Sequence, residues 1–215
     1  MVVVAIDGPS GVGKSTVARA VADALGIAYL DTGAYYRMAT LVALRAGVEP
    51  DDGPGILRSL EGVQVDYDQR RLLLDGADVS GRLRSAEVTA AVSAVSAHPA
   101  VRSAVVEMQR LWVARHGGEA VVEGRDIGTA VFPGSPVKVF LTADAETRAR
   151  RRAGDRESAG KSIEALVDAM GRRDAADSSR EASPLRPADD AVTIDTSHLT
   201  VAEVVAKVLD LVGKV

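Results

Sequence analysis

A glycine-rich segment near the start of the chain restricts its possible folds more than any other feature. Residues 8–15 read Gly-Pro-Ser-Gly-Val-Gly-Lys-Ser, a full match to the phosphate-loop pattern G-x-x-x-x-G-K-[ST]. The apolar run Val2–Ile6 precedes it and predicts a buried parallel strand. Apolar residues then recur at helical spacing from Val17 to Leu25, and Gly26 stands where a helix normally ends. The segment therefore predicts a strand, a phosphate-binding turn and a helix, in that order.

Further along the chain, short apolar strands alternate with helical patterns. One such pattern runs from Ala34 to Ala46 and is closed by Gly47. The other predicted strands of the series are Ile27–Leu30, Val121–Val122, Val137–Leu141 and Ala191–Ile194. This alternation predicts an α/β fold with a parallel five-stranded sheet flanked by helices. We expect Val2–Ile6 to be the central strand and ligands to bind at the carboxyl ends of the strands.

Two segments depart from this rhythm. Val63–Tyr67 and Arg71–Leu74 read as strands around a polar turn, and Ala77–Val79 is a candidate third strand. Together they predict a small antiparallel insert. The stretch Ala153–Ser162 is polar and carries two glycines, which is typical of a mobile flap rather than of a core element.

The composition excludes several kinds of site and partner. The chain of 215 residues has no cysteine, so disulfides and thiolate chemistry are excluded, and three scattered histidines argue against a histidine metal cage. An aromatic content of 3% and a net charge of −4 argue against a nucleic-acid partner. The apolar run Met1–Ile6 is far shorter than the roughly 18 residues of a membrane span, and no basic segment precedes it. We expect a cytoplasmic monomer with small-molecule partners and neither nucleic acid nor membrane.

The phosphate loop indicates a nucleotide ligand, and the arginines restrict the kinds of reaction that the protein can catalyse. The Asn-Lys-x-Asp segment of GTPases and the Leu-Ser-Gly-Gly signature of transporter ATPases are both absent. Arginines suited to a second phosphorylated ligand are Arg37, Arg102, Arg125, Arg148, Arg150, Arg151, Arg152, Arg173 and Arg180. Phosphoryl transfer needs mainly alignment and positive charge, and an acceptor phosphate with a second pKa of about 6 needs no general base. Two alternatives stay open. Each single arginine could instead form a surface salt bridge. The phosphate loop could belong to a module that binds nucleotide without transferring phosphate.

Four motifs resemble those of bacterial cytidylate kinases and follow the same order along nearly the whole chain. They are residues 6–16 (Ile-Asp-Gly-Pro-Ser-Gly-Val-Gly-Lys-Ser-Thr), 30–37 (Leu-Asp-Thr-Gly-Ala-Tyr-Tyr-Arg), 123–129 (Glu-Gly-Arg-Asp-Ile-Gly-Thr) and 182–185 (Ala-Ser-Pro-Leu). The resemblance implies one kinase domain over 1–215, with a core (1–30, 116–148 and 175–215), a monophosphate-binding part with the insert (about 31–115) and a lid (about 149–174). Guanylate kinase is the alternative within enzymes, since it often shares the loop sequence, but its Ser-x-Thr-Thr-Arg acceptor segment is absent.

The resemblance also implies ligands and residue roles. ATP would donate its γ-phosphate to CMP, and also to dCMP, with Mg²⁺ as cofactor and the Ser15 hydroxyl as its ligand. The implied ATP-binding residues are Gly8, Pro9, Ser10, Gly11, Val12, Gly13, Lys14, Ser15 and Thr16. The implied acceptor-binding residues are Thr32, Tyr36, Arg37, Ser93, Arg102, Arg125, Asp126, Arg173, Asp177 and Arg180. The implied catalytic residues are Lys14, Arg125, Arg148 and Arg152.

Some residues keep two interpretations. The lid region also contains Arg151 and Arg156, and the sequence does not tell which arginines point inward. Asp31 and Glu123 fit helix capping as well as a place beside magnesium. His98 and Trp112 are expected to be packing residues.

Overall fold

The computed structural model describes residues 2–68, 71–154, 160 and 162–215. The strands are β1 Val3–Asp7, β2 Ala28–Asp31, β3 Val65–Asp68, β4 Arg71–Leu74, β5 Ala77–Asp78, β6 Ala120–Gly124, β7 Val137–Thr142 and β8 Val192–Asp195. The helices are α1 Lys14–Leu25, α2 Thr32–Arg45, α3 Gly53–Leu60, α4 Ala86–Val95, α5 Pro99–Arg115, α6 Ala145–Ala153, α7 Ile163–Ser178 and α8 Val201–Val212. The chain divides into two compact units, Met1–Tyr29 with His116–Val215, and Leu30–Arg115.

The main sheet has five parallel strands in the order β2-β6-β1-β7-β8. Val4 of the central strand β1 pairs with Val121 on one side and with Val137 on the other. The predicted α/β class, the number of strands and the central position of the first strand are confirmed, with boundaries shifted by one or two residues. All five residues of β1 are buried, which explains why its sequence carries an unbroken apolar run up to Asp7.

Helix α1 covers one face of this sheet because its apolar residues recur on one side. Its residues Val17 and Val21 join the core with Val4 and Ile6 of β1 and Leu141 of β7. Gly26 then adopts a left-handed conformation with φ of 66°, and its N–H bonds to the carbonyl of Ala22, so the helix ends where the sequence predicts. The core thus fixes the start of α1, which directly follows the glycine-rich turn.

The second unit consists of helices and a three-stranded antiparallel sheet in the order β3-β4-β5. The predicted antiparallel insert is confirmed, with its third strand one residue shorter than expected. Trp112 of α5 packs edge-on against Tyr67 of β3, with ring centroids 6.2 Å apart, and its Nε1–H donates to the Tyr67 carbonyl at 3.1 Å. Asp31 accepts a hydrogen bond from the N–H of Ala34 and therefore caps α2.

Helices α6 and α7 flank the segment predicted to be a flap. Of that segment, residues 155–159 and 161 lie outside the described part of the chain. The two helices share a small apolar cluster of Ala149, Leu166 and Met170. In the parts of the chain that the structure describes, none of the helices combines the length and the apolar character needed to cross a bilayer.

Candidate active site

The glycine-rich turn follows β1 and leads into α1 with a backbone that only glycine accommodates at two positions. Gly8 has φ of 148°, and a Cβ there would lie 2.3 Å from the carbonyl oxygen of Leu141 in β7. Gly11 has φ of 80°, and a Cβ there would lie 2.9 Å from the carbonyl oxygen of Arg148 in α6. The turn is therefore packed closely between β7 and α6, at the carboxyl end of the central strand.

Lys14 lies in the first turn of α1 and is buried, at 8% exposure. Its ammonium group donates to the carbonyl of Pro9 at 2.8 Å. Burial and, to a lesser extent, the guanidiniums of Arg125 and Arg173 lower the pKa of Lys14 to about 7, while the carboxylates of Glu123 and Asp7 oppose this shift. Three cationic groups therefore converge on one buried place, which is the electrostatic pattern of a site for a polyanion.

Arg125 follows β6 and is held from two sides. Its Nη1 donates to the carbonyl of Gly8 at 2.7 Å, and its Nε donates to Asp177 of α7 at 2.8 Å. Arg180 binds the other oxygen of the same carboxylate. Burial would raise the pKa of Asp177, but the charges of Arg125 and Arg180 outweigh it and hold this pKa below its usual value. Arg125, Asp177 and Arg180, predicted to bind the acceptor, thus form one ion-pair network beside the phosphate loop.

Asp7 ends β1 and fixes the turn that carries Arg125 and Asp126. Its two carboxylate oxygens accept hydrogen bonds from the N–H groups of Ile127 and Gly128, both at 2.8 Å. These amides open a π-helical turn, Ile127–Val131, that follows the buried Asp126. Burial raises the pKa of Asp7 to about 6, although the two amide hydrogen bonds act in the opposite direction.

The predicted lid arginines have different surroundings. Arg148 pairs with Asp174 of α7 and donates to the carbonyl of Ser10 in the phosphate loop at 3.1 Å. Arg151 donates to the hydroxyl of Thr196 at 2.9 Å and to its carbonyl at 2.7 Å, which makes it a brace between α6 and the segment after β8. Arg152 lies half-buried in the last turn of α6. Arg156 lies outside the described residues.

In the second unit, two predicted acceptor-binding arginines are buried. Arg37 of α2 is 8% exposed, and its Nη1 donates to the Leu83 carbonyl and to the Thr89 hydroxyl, both at 3.0 Å. Arg102 of α5 is 4% exposed, and its guanidinium carbon lies 5.1 Å from the ring centre of Tyr36. The structure therefore brings Arg102 and Tyr36 together.

The remaining predicted residues of the second unit differ in exposure. The carbonyl of the buried Thr32 lies 3.5 Å from the Nε2 of Gln109, which donates to it. Ser93 is exposed on α4, and its carbonyl accepts a hydrogen bond from the Ser96 hydroxyl. His98 contacts the Pro50 carbonyl through Nε2 at 3.0 Å, consistent with a packing role.

The oxygen donors beside the loop suit magnesium in kind. Ser15 is half-buried in the first turn of α1 and carries the hydroxyl that the motif predicts as a ligand. Glu123 of β6 accepts a hydrogen bond from the Tyr29 hydroxyl at 2.8 Å. Within the described ranges, no group of three or more His, Cys, Asp or Glu side chains could hold a metal ion by itself. Mg²⁺ typically keeps waters and binds through few protein oxygens together with substrate phosphates, so the donors present fit that cation.

Three residues at these sites were missed by sequence reasoning. Asp7 binds the π-helical turn, Asp174 binds Arg148 and the Ser10 N–H, and Thr89 binds Arg37. The sequence offered one reason to select Asp7, since a carboxylate at the end of an otherwise apolar central strand needs buried partners. It offered no reason to select Asp174 or Thr89, because their partners lie 26 and 52 residues away in sequence.

Comparison with known proteins gives a consistent result. The family model described as cytidylate kinase matches residues 4–214. The cytidylate kinase of Mycobacterium avium strain 104 is 54% identical, over 98% of this chain and 95% of that protein. The cytidylate kinase of Mycobacterium leprae strain Br4923 is 53% identical, again over 98% of this chain and 95% of the relative. The crystal structure of shikimate kinase from Bacteroides thetaiotaomicron is similar with a TM-score of 0.50 and 13% identity, covering 99% of this chain and 98% of that one, which shows the fold alone.

Proposed function

The chain belongs to the cytidylate kinase family, whose reaction is the ATP-dependent phosphorylation of CMP, and on that premise we propose how its residues carry out the transfer. The residues from Gly8 to Thr16 bind the triphosphate of ATP. The loop lies at the carboxyl end of the central strand and at the start of α1, where backbone N–H groups and the helix dipole favour an anion.

The convergence of Lys14, Arg125 and Arg173 is the observation that carries this proposal. Bringing three cationic groups together in a buried place is unfavourable in the absence of an anion: burial is the main cause of the lowered pKa of Lys14, and the charges of Arg125 and Arg173 act in the same direction. A bound polyphosphate removes the repulsion. Phosphoryl transfer spreads negative charge over the travelling group, so the same cations stabilise its transition state.

We assign the acceptor to the residues that the sequence motifs indicate. Arg37, Arg125 and Arg173 bind the phosphate of CMP. Thr32 and Tyr36 contact the acceptor, and Asp177 and Arg180 bind its sugar, with deoxyribose accepted as well as ribose. Their burial or pairing supports these roles, because a planar guanidinium held by fixed partners binds a phosphate at little entropic cost.

The base is assigned to Asp126, Arg102 and Ser93. Cytosine offers an N4 amine that needs an acceptor, which the carboxylate of Asp126 supplies, while its O2 and N3 accept from Arg102 and Ser93. Uracil carries an oxygen in place of the amine, so the same carboxylate would face an acceptor. Asp126 is buried, at 3% exposure, so leaving its carboxylate opposite the uracil oxygen without a donor is costly.

The chemical step needs no general base, since the acceptor oxygen of a phosphate monoester is already largely ionised at neutral pH. Lys14, Arg125, Arg148 and Arg152 hold the transferred group in line and offset its charge. When bound through the Ser15 hydroxyl, Mg²⁺ would supply additional charge compensation at the phosphate oxygens. The lid, about 149–174, excludes water so that ATP is not hydrolysed.

One assay tests the proposal directly. The purified protein is incubated with ATP, magnesium and one of CMP, dCMP, UMP, AMP or GMP, and release of ADP is followed. We expect the highest rates with CMP and dCMP; ATP binding without acceptor-dependent ADP release would instead indicate a binding module, and a preference for GMP would overturn the base assignment. Lys14→Ala is expected to lose most of kcat, whereas Lys207→Ala, at an exposed lysine of α8, serves as the matched control. The monomeric state and the cytoplasmic location stay predictions, which gel filtration and cell fractionation test.

A further inference from the structure

Asp174 lies outside the four motifs described above, yet its contacts connect three elements of the first unit. It lies in α7, directly after Arg173. One carboxylate oxygen accepts a hydrogen bond from the N–H of Ser10 at 3.1 Å, and the other binds Nη1 of Arg148 in α6. A single side chain thus joins the phosphate loop to the two helices that flank the predicted flap.

The three partners form a closed arrangement. Arg148 donates from the same Nη1 to the carbonyl of Ser10 at 3.1 Å, so both the N–H and the C=O of Ser10 are held, one by the carboxylate and one by the guanidinium. The backbone of the next residue is equally constrained, since a Cβ at Gly11 would lie 2.9 Å from the Arg148 carbonyl oxygen. The N–H of Ser10 donates to Asp174. Because the backbone of Ser10 is held in this way, the orientation of the neighbouring loop residues toward a triphosphate is also restricted.

This ion pair differs from the surface pairs of the same helix. The side chains of Arg148 and Asp174 are 14% and 16% exposed, whereas those of Arg150 and Glu146, also paired in α6, are 70% and 66% exposed. Exposed pairs of this kind contribute little, because water screens them and side-chain entropy opposes them. A mostly buried pair with additional hydrogen bonds restricts the position of both groups and leaves an uncompensated charge when one partner is removed.

A second aspartate of α7 also binds an arginine from another part of the first unit. Asp177 lies three residues further along and therefore on the same face of the helix. Asp177 binds Arg125, which comes from the turn after β6, while Asp174 binds Arg148, which comes from α6. One face of α7 therefore holds two arginines that the proposed mechanism uses.

We infer that Asp174 is a positioning residue for the ATP side of the reaction: it holds Arg148 and Ser10 of the phosphate loop in one arrangement relative to each other. The inference rests on the proposed functions of the loop and of Arg148. Asp174 acts through these two groups and does not itself contact the reacting phosphates. Its loss is therefore expected to affect ATP and the chemical step while leaving the binding of CMP unchanged.

Steady-state kinetics of five variants test the inference. Asp174→Asn keeps an oxygen that can accept from Ser10 but removes the charge that Arg148 needs. We expect kcat/KM for ATP to fall by roughly 10- to 100-fold, as displacements of about 1 Å in a positioned group produce, with KM for CMP within about twofold of wild type. Glu146→Gln breaks the exposed pair of the same helix and is the matched control, expected to leave all constants unchanged. Arg148→Ala, Asp174→Ala and the double variant Arg148→Ala/Asp174→Ala complete the set.

The double variant separates positioning from an independent role. If Asp174 acts through Arg148, the double variant is no more than about twofold worse than Arg148→Ala, because the two residues work as a unit. Effects that multiply would overturn the inference. The inference would also be overturned if Arg148→Ala lowered kcat/KM for ATP while Asp174→Asn left it unchanged. That result would still support the proposed role of Arg148. Normal activity of Arg148→Ala would remove the proposed role itself and the inference with it.

Thermal unfolding of each variant controls for folding. If Asp174→Asn melts several degrees below wild type, Asp174→Glu provides the second measurement, since it keeps the charge and lengthens the side chain. Positioning predicts that Asp174→Glu recovers kcat/KM for ATP at least about tenfold over Asp174→Ala, because the ion pair can re-form. Equal activity of the Glu and Ala variants, together with equal changes in KM for ATP and for CMP, would reduce Asp174 to a general structural role and refute the inference.

Discussion

Asp7 is expected to make the free energy of unfolding depend on pH in a defined window. Burial raises the pKa of Asp7 from 3.8 to about 6, so the folded protein binds a proton at this site at pH values where the unfolded chain has released it. Stability contributed by this group is therefore full at low pH and is lost as pH rises from about 4 to about 6. Above that window the ionised carboxylate destabilises the folded state by a constant amount.

The size of the effect follows from the shift. Each pKa unit corresponds to about 1.36 kcal/mol, so a rise from 3.8 to about 6 makes the ionised form roughly 3 kcal/mol less favourable in the folded state. Asp7→Asn cannot ionise and lacks this dependence. The substitution also turns an N–H₂ group toward one of the two amides of Ile127 and Gly128, which costs about 1–3 kcal/mol at every pH. The diagnostic quantity is therefore the change with pH, because the constant cost cancels from it.

Urea unfolding of both proteins between pH 4.5 and 7.5 measures this change. The free energy of unfolding of wild type minus that of Asp7→Asn is expected to fall by about 2 kcal/mol across the range, with most of the fall below pH 6.5. Asp189→Asn is the control, since the Asp189 side chain is 99% exposed and its difference from wild type should stay nearly flat. A wild-type minus Asp7→Asn difference that stays constant within about 0.5 kcal/mol, or that rises with pH, would refute the reasoning.

Three further substitutions test local geometry. Gly8→Ala places a Cβ 2.3 Å from the Leu141 carbonyl, so we expect loss of ATP-dependent activity or of the folded protein, measured by ADP release and circular dichroism. Thr89→Val removes a hydroxyl acceptor of Arg37 at nearly constant volume and should raise KM for CMP roughly 3- to 10-fold without changing KM for ATP. Trp112→Phe deletes the hydrogen bond to the Tyr67 carbonyl and should lower the free energy of unfolding by about 1–3 kcal/mol, measured in urea.

The parts of the fold that depend on local patterns were predictable from the sequence. The apolar run before the glycine-rich turn, the helical spacing after it and the stop at Gly26 each act within a few residues, and the structure reproduces all three. The antiparallel insert was equally visible, because its strands are short and separated by polar turns. Boundaries shifted by one or two residues because strand ends are decided by pairing: β1 extends to Asp7, which pairs with Gly124 of β6.

The partners of the charged residues were not predictable in the same way. Arg125 binds the Gly8 carbonyl, 117 residues away, and Arg148 binds the Ser10 carbonyl, 138 residues away. Composition and spacing show that an arginine is present but not which group receives its hydrogen bonds, since that depends on how the helices pack. The π-helical turn after Asp126 has no local signature in the sequence either. It depends on two hydrogen bonds that its own amides donate to Asp7, which ends a different strand, β1.

The arginines and Lys14 differ in how their positive charges are stabilised, and this difference has consequences for binding. Arg125 and Arg148 are paired with carboxylates of α7, and Arg37 and Arg102 donate to backbone carbonyls. These guanidiniums are held by fixed partners, so in the proposed site an incoming phosphate meets donors whose orientation is already set. Lys14 donates to the Pro9 carbonyl, and its charge is opposed by burial and by two neighbouring guanidiniums. On the proposed assignment, the arginines are therefore oriented before the ligand arrives, whereas the lysine gains most of its favourable interaction only once the polyphosphate is bound.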